Sequence, residues 1–294
     1  MRGLITVFRK ELADDFISWR FIILLALVFA VGALSIYIDA QYIRETVTGT
    51  RFVFLQLYTT SGQAAPLFIF FIVFFMPIVG IALGFDTINT EKSSGTLSRL
   101  LSQPIYRDAV INGKFLAGVV TIAIMLTSMV LLVGGVGLSM IGVPPSSEEV
   151  IRLMAFLAIS ILYGAFWLGV AILFSILFRR PATSALASIA VWMFFIFMFA
   201  FPFFVQLWQG QIGFVIMRIS PVTVFWQVVT ILLVPEARTL GQALQSGFVG
   251  VPTSALSLGQ SLLTVVPHLV SLIVLTVICF AISYVKFMRE EIRA

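Results

Sequence analysis

Long apolar blocks separated by short polar stretches dominate the chain. The first block runs from about Phe21 to Ile38. A polar loop to about Ala65 separates it from a second, Pro66–Phe85. Further blocks cover Lys114–Ile141, Ile151–Phe178, Ala182–Phe204 and Leu262–Val285. A helix needs roughly 20 apolar residues to cross a hydrocarbon core about 30 Å thick. The pattern therefore predicts an all-α, polytopic membrane protein with six transmembrane helices, forming one domain over residues 1–294. Pro77 lies inside the second block and predicts a kink there. Pro144-Pro145 and Arg179-Arg180-Pro181 mark tight turns.

Three segments outside the blocks have their own pattern. Residues 2–19 place Leu4, Ile5, Phe8, Leu12, Phe16 and Trp19 on one helical face, with Arg9, Lys10, Glu11, Asp14 and Asp15 mostly on the other. This predicts an amphipathic helix in the membrane interface, a cytosolic packing helix being the alternative. The polar stretch Asp86–Gly113 (residues 86–113) joins the second and third blocks. The connection over residues 205–258 contains the apolar run Val222–Val234, too short to span comfortably. Started by Ser220-Pro221 and stopped by Pro235, that run predicts an interfacial or re-entrant helix.

Composition agrees with the pattern. Hydrophobic residues make up 60% of 294 positions and charged residues 11%, less than half the charge of an ordinary soluble domain. The net charge of +5 is scattered between apolar blocks, which argues against nucleic-acid binding. With six spans, one side carries Arg2, Arg9, Lys10, Arg20, Lys92, Arg99, Arg107, Lys114, Arg179, Arg180, Lys286, Arg289 and Arg293. The other carries Arg44, Arg51, Arg152, Arg218 and Arg238. By the positive-inside rule both termini are expected in the cytoplasm. The single cysteine, Cys279, excludes an intrachain disulfide.

Groups that could carry chemistry are few. One histidine, His268, and one cysteine cannot build a zinc site, and no cofactor is expected. Gly113-Lys114 is no phosphate-binding loop, because Asp108 stands where the earlier glycine is required and Phe115 follows the lysine. Ser139 and His268 both fall near the outer ends of their blocks, and as a dyad they would suit an intramembrane serine protease. The simpler role for His268 is an interfacial hydrogen-bonder, though an ionisable group in a span is a candidate polar site. Gly134, Gly135, Gly137, Gly164 and Gly169 are expected to allow close helix packing, with hinges as the alternative. The phenylalanine-rich fifth block suits an apolar path, a subunit interface or a lipid-facing surface.

Within residues 86–113, Ser93 or Ser94 is a good N-cap for a helix. Leu97, Leu100 and Leu101 form its apolar stripe, with Lys92, Ser98 and Arg99 turned away. Pro104 ends it, and a second helix is expected from Tyr106 through Arg107 and Asp108 into the third span. Such a helix can lie on lipid or dock into a groove on a soluble partner.

The series Glu91, Gly95-Thr96-Leu97, Leu100-Leu101, Pro104, Arg107, Gly113-Lys114 resembles the signature of type-2 ATP-binding-cassette (ABC) permeases. It is most similar to the group that includes the nitrous-oxide-reductase maturation permease and the sodium or antibiotic exporters. The N-terminal helix with Lys10-Glu11, the six spans and Ser220-Pro221 match that group in plan. The resemblance implies that Glu91, Gly95, Thr96, Leu97, Leu100, Leu101, Pro104 and Arg107 belong to a coupling helix that docks on a separate ATPase subunit. It also implies an assembly of two permeases, expected as a homodimer, with two ATPases in the plasma membrane. Arg179 and Arg180 would form a second cytoplasmic contact, or else a simple positive-inside anchor. On this basis the chain is expected to be a non-enzymatic exporter subunit whose ATP is hydrolysed by its partner. The alternatives are the Ser139/His268 enzyme and a membrane scaffold. The scarcity of ionisable groups in the spans favours an apolar or amphipathic cargo, or mechanical action on a partner protein.

Overall fold

The computed structural model describes residues 2–46, 52–59, 67–102, 105–200, 219–234 and 257–289. These residues form helices and turns with no strand among them. The helices are α1 (Arg2–Ile17), α2 (Trp19–Thr46), α3 (Val53–Thr59), α4 (Leu67–Gly84), α5 (Asn89–Ser93), α6 (Thr96–Leu101), α7 (Arg107–Ile141), α8 (Ser147–Leu177), α9 (Pro181–Ala200), α10 (Pro221–Leu233) and α11 (Leu258–Arg289). Six of them, α2, α4, α7, α8, α9 and α11, are long and apolar enough to cross a membrane. Pro77 sits inside α4, which continues through it.

Helix α8 is the hub, packed against α4, α7, α9, α10 and α11. Small residues let its neighbours approach closely. A Cβ on Gly80 of α4 would come 2.8 Å from the Gly164 carbonyl oxygen and 2.9 Å from the Leu168 nitrogen. One on Gly118 of α7 would meet the Leu168 side chain at 2.7 Å. Leu168 is thus clasped between α4 and α7. The expected packing glycines divide in two. Gly134, Gly137 and Gly164 are in tight contact, whereas Gly135 faces open space and Gly169 makes only ordinary contacts.

What Gly134 and Gly137 receive is α3, a buried helix inside the stretch expected to be a polar loop. Its Leu57 and Tyr58 fill the space those glycines leave, and the Tyr58 hydroxyl donates to the Val130 carbonyl at 3.0 Å. Helix α10 is also buried almost throughout, among α4, α8, α9 and α11. Ser220 caps it by accepting from the Thr223 N–H. Phe225 stacks flat on Tyr163 with centroids 4.1 Å apart, and Trp226 lies against Phe70 and Phe199.

On α11 the buried positions Val265, Leu272, Thr276, Cys279, Ser283 and Phe287 make one helical stripe, while Leu263, Val277 and Ile282 face outward. The Thr276 and Ser283 hydroxyls donate to carbonyls one turn back, so they enter the core satisfied. The phenylalanine-rich α9 has two faces. Phe195 and Phe199 pack on Trp167 and Trp226, while Phe194 and Phe197 are exposed. These exposed apolar faces on α2, α9 and α11 fit hydrocarbon as solvent rather than water.

Candidate functional site

The polar groups of greatest interest gather where α1, α5, α7 and the ends of α4 and α8 meet. Helix α1 packs along α7, and Val7 lies against Gly113, where a Cβ would come within 2.9 Å of the valine. That approach brings Glu11 to Lys114. The Lys114 side chain is only 2% exposed, and its ammonium lies 2.9 Å from Glu11 Oε2 and 2.9 Å from Glu91 Oε1. Lys10 reaches the same carboxylates from outside, 3.0 Å from Glu11 and 3.9 Å from Glu91. A buried ammonium is tolerable only when paired in this way. Burial alone would push the Glu11 carboxyl up, but the Lys114 ammonium beside it, with Lys10, outweighs burial and holds it below its ordinary value.

This arrangement differs from the amphipathic pattern expected for α1. Glu11 and Asp15 belong to the expected polar face, yet both turn toward α7, where Lys114 and the Thr121 hydroxyl meet them. Ile5 and Trp19, on the expected apolar face, are exposed, as an interfacial helix requires. Ser18 breaks the chain between α1 and α2 and caps the latter, its hydroxyl accepting from the Phe21 N–H at 3.2 Å.

The segment after α4 is fixed at its start by α8. The Ser175 hydroxyl oxygen accepts from the N–H groups of Ile88 and Asn89, at 3.0 and 3.2 Å. These are donors that the first turn of a helix leaves unpaired. Helix α5 is therefore held by α8 through Ser175, and by α7 and α1 through Glu91.

The helix expected from Ser93 or Ser94 begins instead at Thr96, as α6, and a separate short helix, α5, precedes it. Ser93 ends α5, Ser94 is its C-cap, and Gly95 follows in the left-handed region at φ +70°. A glycine just past a helix end is the usual stop signal, and it outweighs the capping tendency of the serines. The Ser94 and Thr96 hydroxyls both donate to the Glu91 carbonyl across the break.

Leu97 is buried, Leu100 half-buried and Arg99 exposed, so the stripe faces the protein's own interior. The Leu101 side chain and Pro104 lie outside the described residues. Tyr106, 82% exposed, is the N-cap of α7, which starts at Arg107 and runs unbroken to Ile141. Among the described residues of this segment, Ser93, Ser94, Gly95, Thr96, Arg99, Ser102 and Tyr106 are exposed. Arg179 and Arg180 are exposed just beyond the α8 turn that carries Ser175.

Two further groups escaped the sequence reading. Arg20 of α2 pairs with Asp86 beyond α4 at 2.6 Å and lies over the Phe85 ring. At the opposite end of the bundle, Glu149 completes a capping box with Ser146 and also accepts from the Phe54 and Leu55 N–H groups, at 2.9 and 3.2 Å. One turn on, the 1%-exposed Arg152 donates to Glu148, to the Leu232 carbonyl and to the Ser261 hydroxyl. This knot ties α3, α10 and α11 to the start of α8. A signal for all of them was present: an ionisable residue bordering an apolar block needs a partner.

The serine and histidine of the enzymatic alternative are each engaged within their own helix. Ser139 donates to the Val136 carbonyl at 2.7 Å, and His268 Nδ1 lies 3.2 Å from the Thr264 carbonyl.

A model of the ABC-2 family of transporter proteins matches residues 5–292. The chain belongs to that family. It is 27% identical over 197 residues to a probable ABC transporter permease protein, NosY, of Pseudomonas aeruginosa, covering 66% of this chain and 67% of that protein. The Stutzerimonas stutzeri protein of the same description is 27% identical over 199 residues, with 65% and 66% covered. The chain thus spans about two thirds of the length of the relatives it matches. It is a multi-pass membrane protein and the membrane subunit of an ABC transporter.

Proposed function

We propose that this ABC-2 subunit is the permease of an exporter in the plasma membrane, driven by a separate ATPase that docks on α5–α6. Both termini then lie in the cytoplasm, as the distribution of lysine and arginine favours. Two permease copies pair with two ATPases. Glu91, Gly95, Thr96 and Leu97 belong to the coupling segment, with Arg99 and Tyr106 presenting its outward surface and Arg179-Arg180 a second contact. The observation that carries this proposal is the anchoring of α5. A push on its outer side reaches α8 through Ser175, and α7 and α1 through Glu91, Lys114 and Glu11. A segment tied to three helices by short polar contacts can work as a lever, and a loosely attached loop cannot.

The test separates docking from transmission. Full-length protein is purified from its own membranes as wild type, as Arg99→Glu/Tyr106→Ala, and as Lys114→Met. Co-purifying chains are identified by mass spectrometry, and ATPase activity is measured. An ATP-binding-cassette subunit is expected with wild type and with Lys114→Met, but not with the surface variant. Failure to find that subunit with the wild type removes the proposal.

A further inference from the structure

A cavity of about 330 Å³ opens beside the lever, between the end of α1, the start of α2, the end of α4 and α7. Its charged lining comprises Glu11, Asp14, Asp15, Arg20, Asp86 and Lys114. Most of these charges are already balanced. Lys114 is committed to Glu11 and Glu91, Arg20 pairs with Asp86, and Asp14 lies 3.3 Å from Lys10. Asp15 is the exception. Its Oδ2 accepts from the Thr121 hydroxyl at 3.1 Å, and no cationic side chain among the described residues pairs with it. Burial raises its carboxyl to about 6, the neighbouring Glu11 and Asp14 adding to the rise and the Thr121 bond and Lys114 opposing it. Lys114 and Arg20 act on Asp15 only at longer range, so among the described residues it is the carboxylate in this cavity without a close ion pair.

The cavity also sits at a lipid boundary. Trp19, which lines it, is 78% exposed, and Ile17, Ile22 and Ile23 around it are exposed as well. A tryptophan beside apolar residues at a span end marks the headgroup level of a bilayer. Arg20 has a half-exposed guanidinium that meets Asp86 through one terminal nitrogen, and a guanidinium carries five N–H donors in all. An anionic acceptor therefore lies close to a cationic donor, at the depth where phospholipid headgroups lie. The volume is at the lower end of small-ligand pockets.

We propose that this cavity binds the headgroup of an ethanolamine phospholipid, its primary ammonium donating to Asp15 and its phosphate accepting from Arg20. The acyl chains run along the exposed isoleucines of α2. A primary ammonium has three N–H donors for the carboxylate, and a choline headgroup has none, so selectivity follows from hydrogen bonding rather than charge. The proposal depends on placement in a membrane and not on the ATPase reading, so either can fail alone.

The test uses the full chain in detergent, titrated with ethanolamine, choline and glycerol phospholipids of identical chains, and with soluble phosphoethanolamine. Retention is read by native mass spectrometry. The ethanolamine lipid is expected to bind at least about tenfold more tightly than the choline lipid. Asp15→Asn is expected to abolish that preference, and Arg20→Gln to weaken both lipids. Equal binding of the two lipids to wild type overturns the proposal, as does a preference that survives Asp15→Asn. Binding of soluble phosphoethanolamine as tight as that of the lipid overturns the lipid assignment. Should the variant fail to fold, the wild type at two pH values decides. Protonation of Asp15 at pH 5 is expected to weaken ethanolamine-lipid binding about tenfold relative to pH 7.5, and unchanged binding contradicts the proposal.

Discussion

Lys114 places its ammonium 2.9 Å from the carboxylate of Glu91, 23 positions earlier, joining the membrane-spanning helix α7 to the five-residue helix α5. Glu11 meets the same ammonium from α1. Three separate helices, α1, α5 and α7, therefore share one buried charge. Moving any of them separates opposite charges in a site of low dielectric, so rigid motion together is favoured over local yielding.

Lys114→Met removes the buried shared cation and leaves Glu11 and Glu91 with only the half-exposed Lys10 beside them. Unfolding in detergent is expected to become easier by about 3 kcal/mol. Adding Glu11→Gln and Glu91→Gln to the same chain is expected to restore most of that loss. Absence of any recovery in the triple variant shows that packing, not charge, is what Lys114 supplies.

Asp15 gives the structure a pH dependence of definite sign. Its folded-state value of about 6 lies above the ordinary 3.8, so the folded form binds more protons between those values. Stability therefore rises as pH falls from about 7 toward about 5. Glu11, held below its ordinary 4.5, contributes a loss only below that value. Thermal unfolding in detergent free of aminophospholipid, at pH 7.5 and 5, checks this. Asp15→Asn is expected to flatten the difference.

At the opposite end, Glu149 satisfies donors of two helices, α3 and α8, that lie far apart in sequence. Glu149→Ala is expected to cost about 3 kcal/mol, from the lost capping box and two unpaired buried N–H groups of α3. Hydrogen exchange locates the effect: protection should fall at Phe54 and Leu55 before the bundle as a whole.

Two glycines test the packing account directly. Gly80→Ala drives a methyl into the α8 backbone and is expected to destabilise by about 2 kcal/mol. Gly135→Ala meets open space and is expected to be neutral or stabilising, by up to about 1 kcal/mol. Equal unfolding midpoints for the two variants contradict the close α4–α8 contact.

The six long helices were legible because bilayer thickness fixes their length and composition, both local properties of sequence. The break at Gly95 was legible in principle, since glycine after a polar helical turn is a stop signal, but the serines before it were read as a start. Helix α3 was not legible. Its short run gains a buried site from tertiary contacts, above all with Gly134, Gly137 and the Glu149 carboxylate. The site was half visible: Glu91 and Gly113-Lys114 stood out as residues of one stretch, and Lys10-Glu11 as part of another. Their meeting at Lys114, and the Ser175 anchor 86 positions beyond Asn89, depend on tertiary packing that periodicity does not encode.

The central claim is that α5–α6 receives an ATPase and that Lys114 passes its motion inward. The most direct measurement is ATP-driven movement between labelled α1 and α8 in the complex purified from native membranes, by pulsed electron–electron spin resonance. The account predicts a distance change on ATP binding in wild type that Lys114→Met abolishes while the ATPase stays bound. An unchanged response in Lys114→Met, with the ATPase still bound, contradicts it.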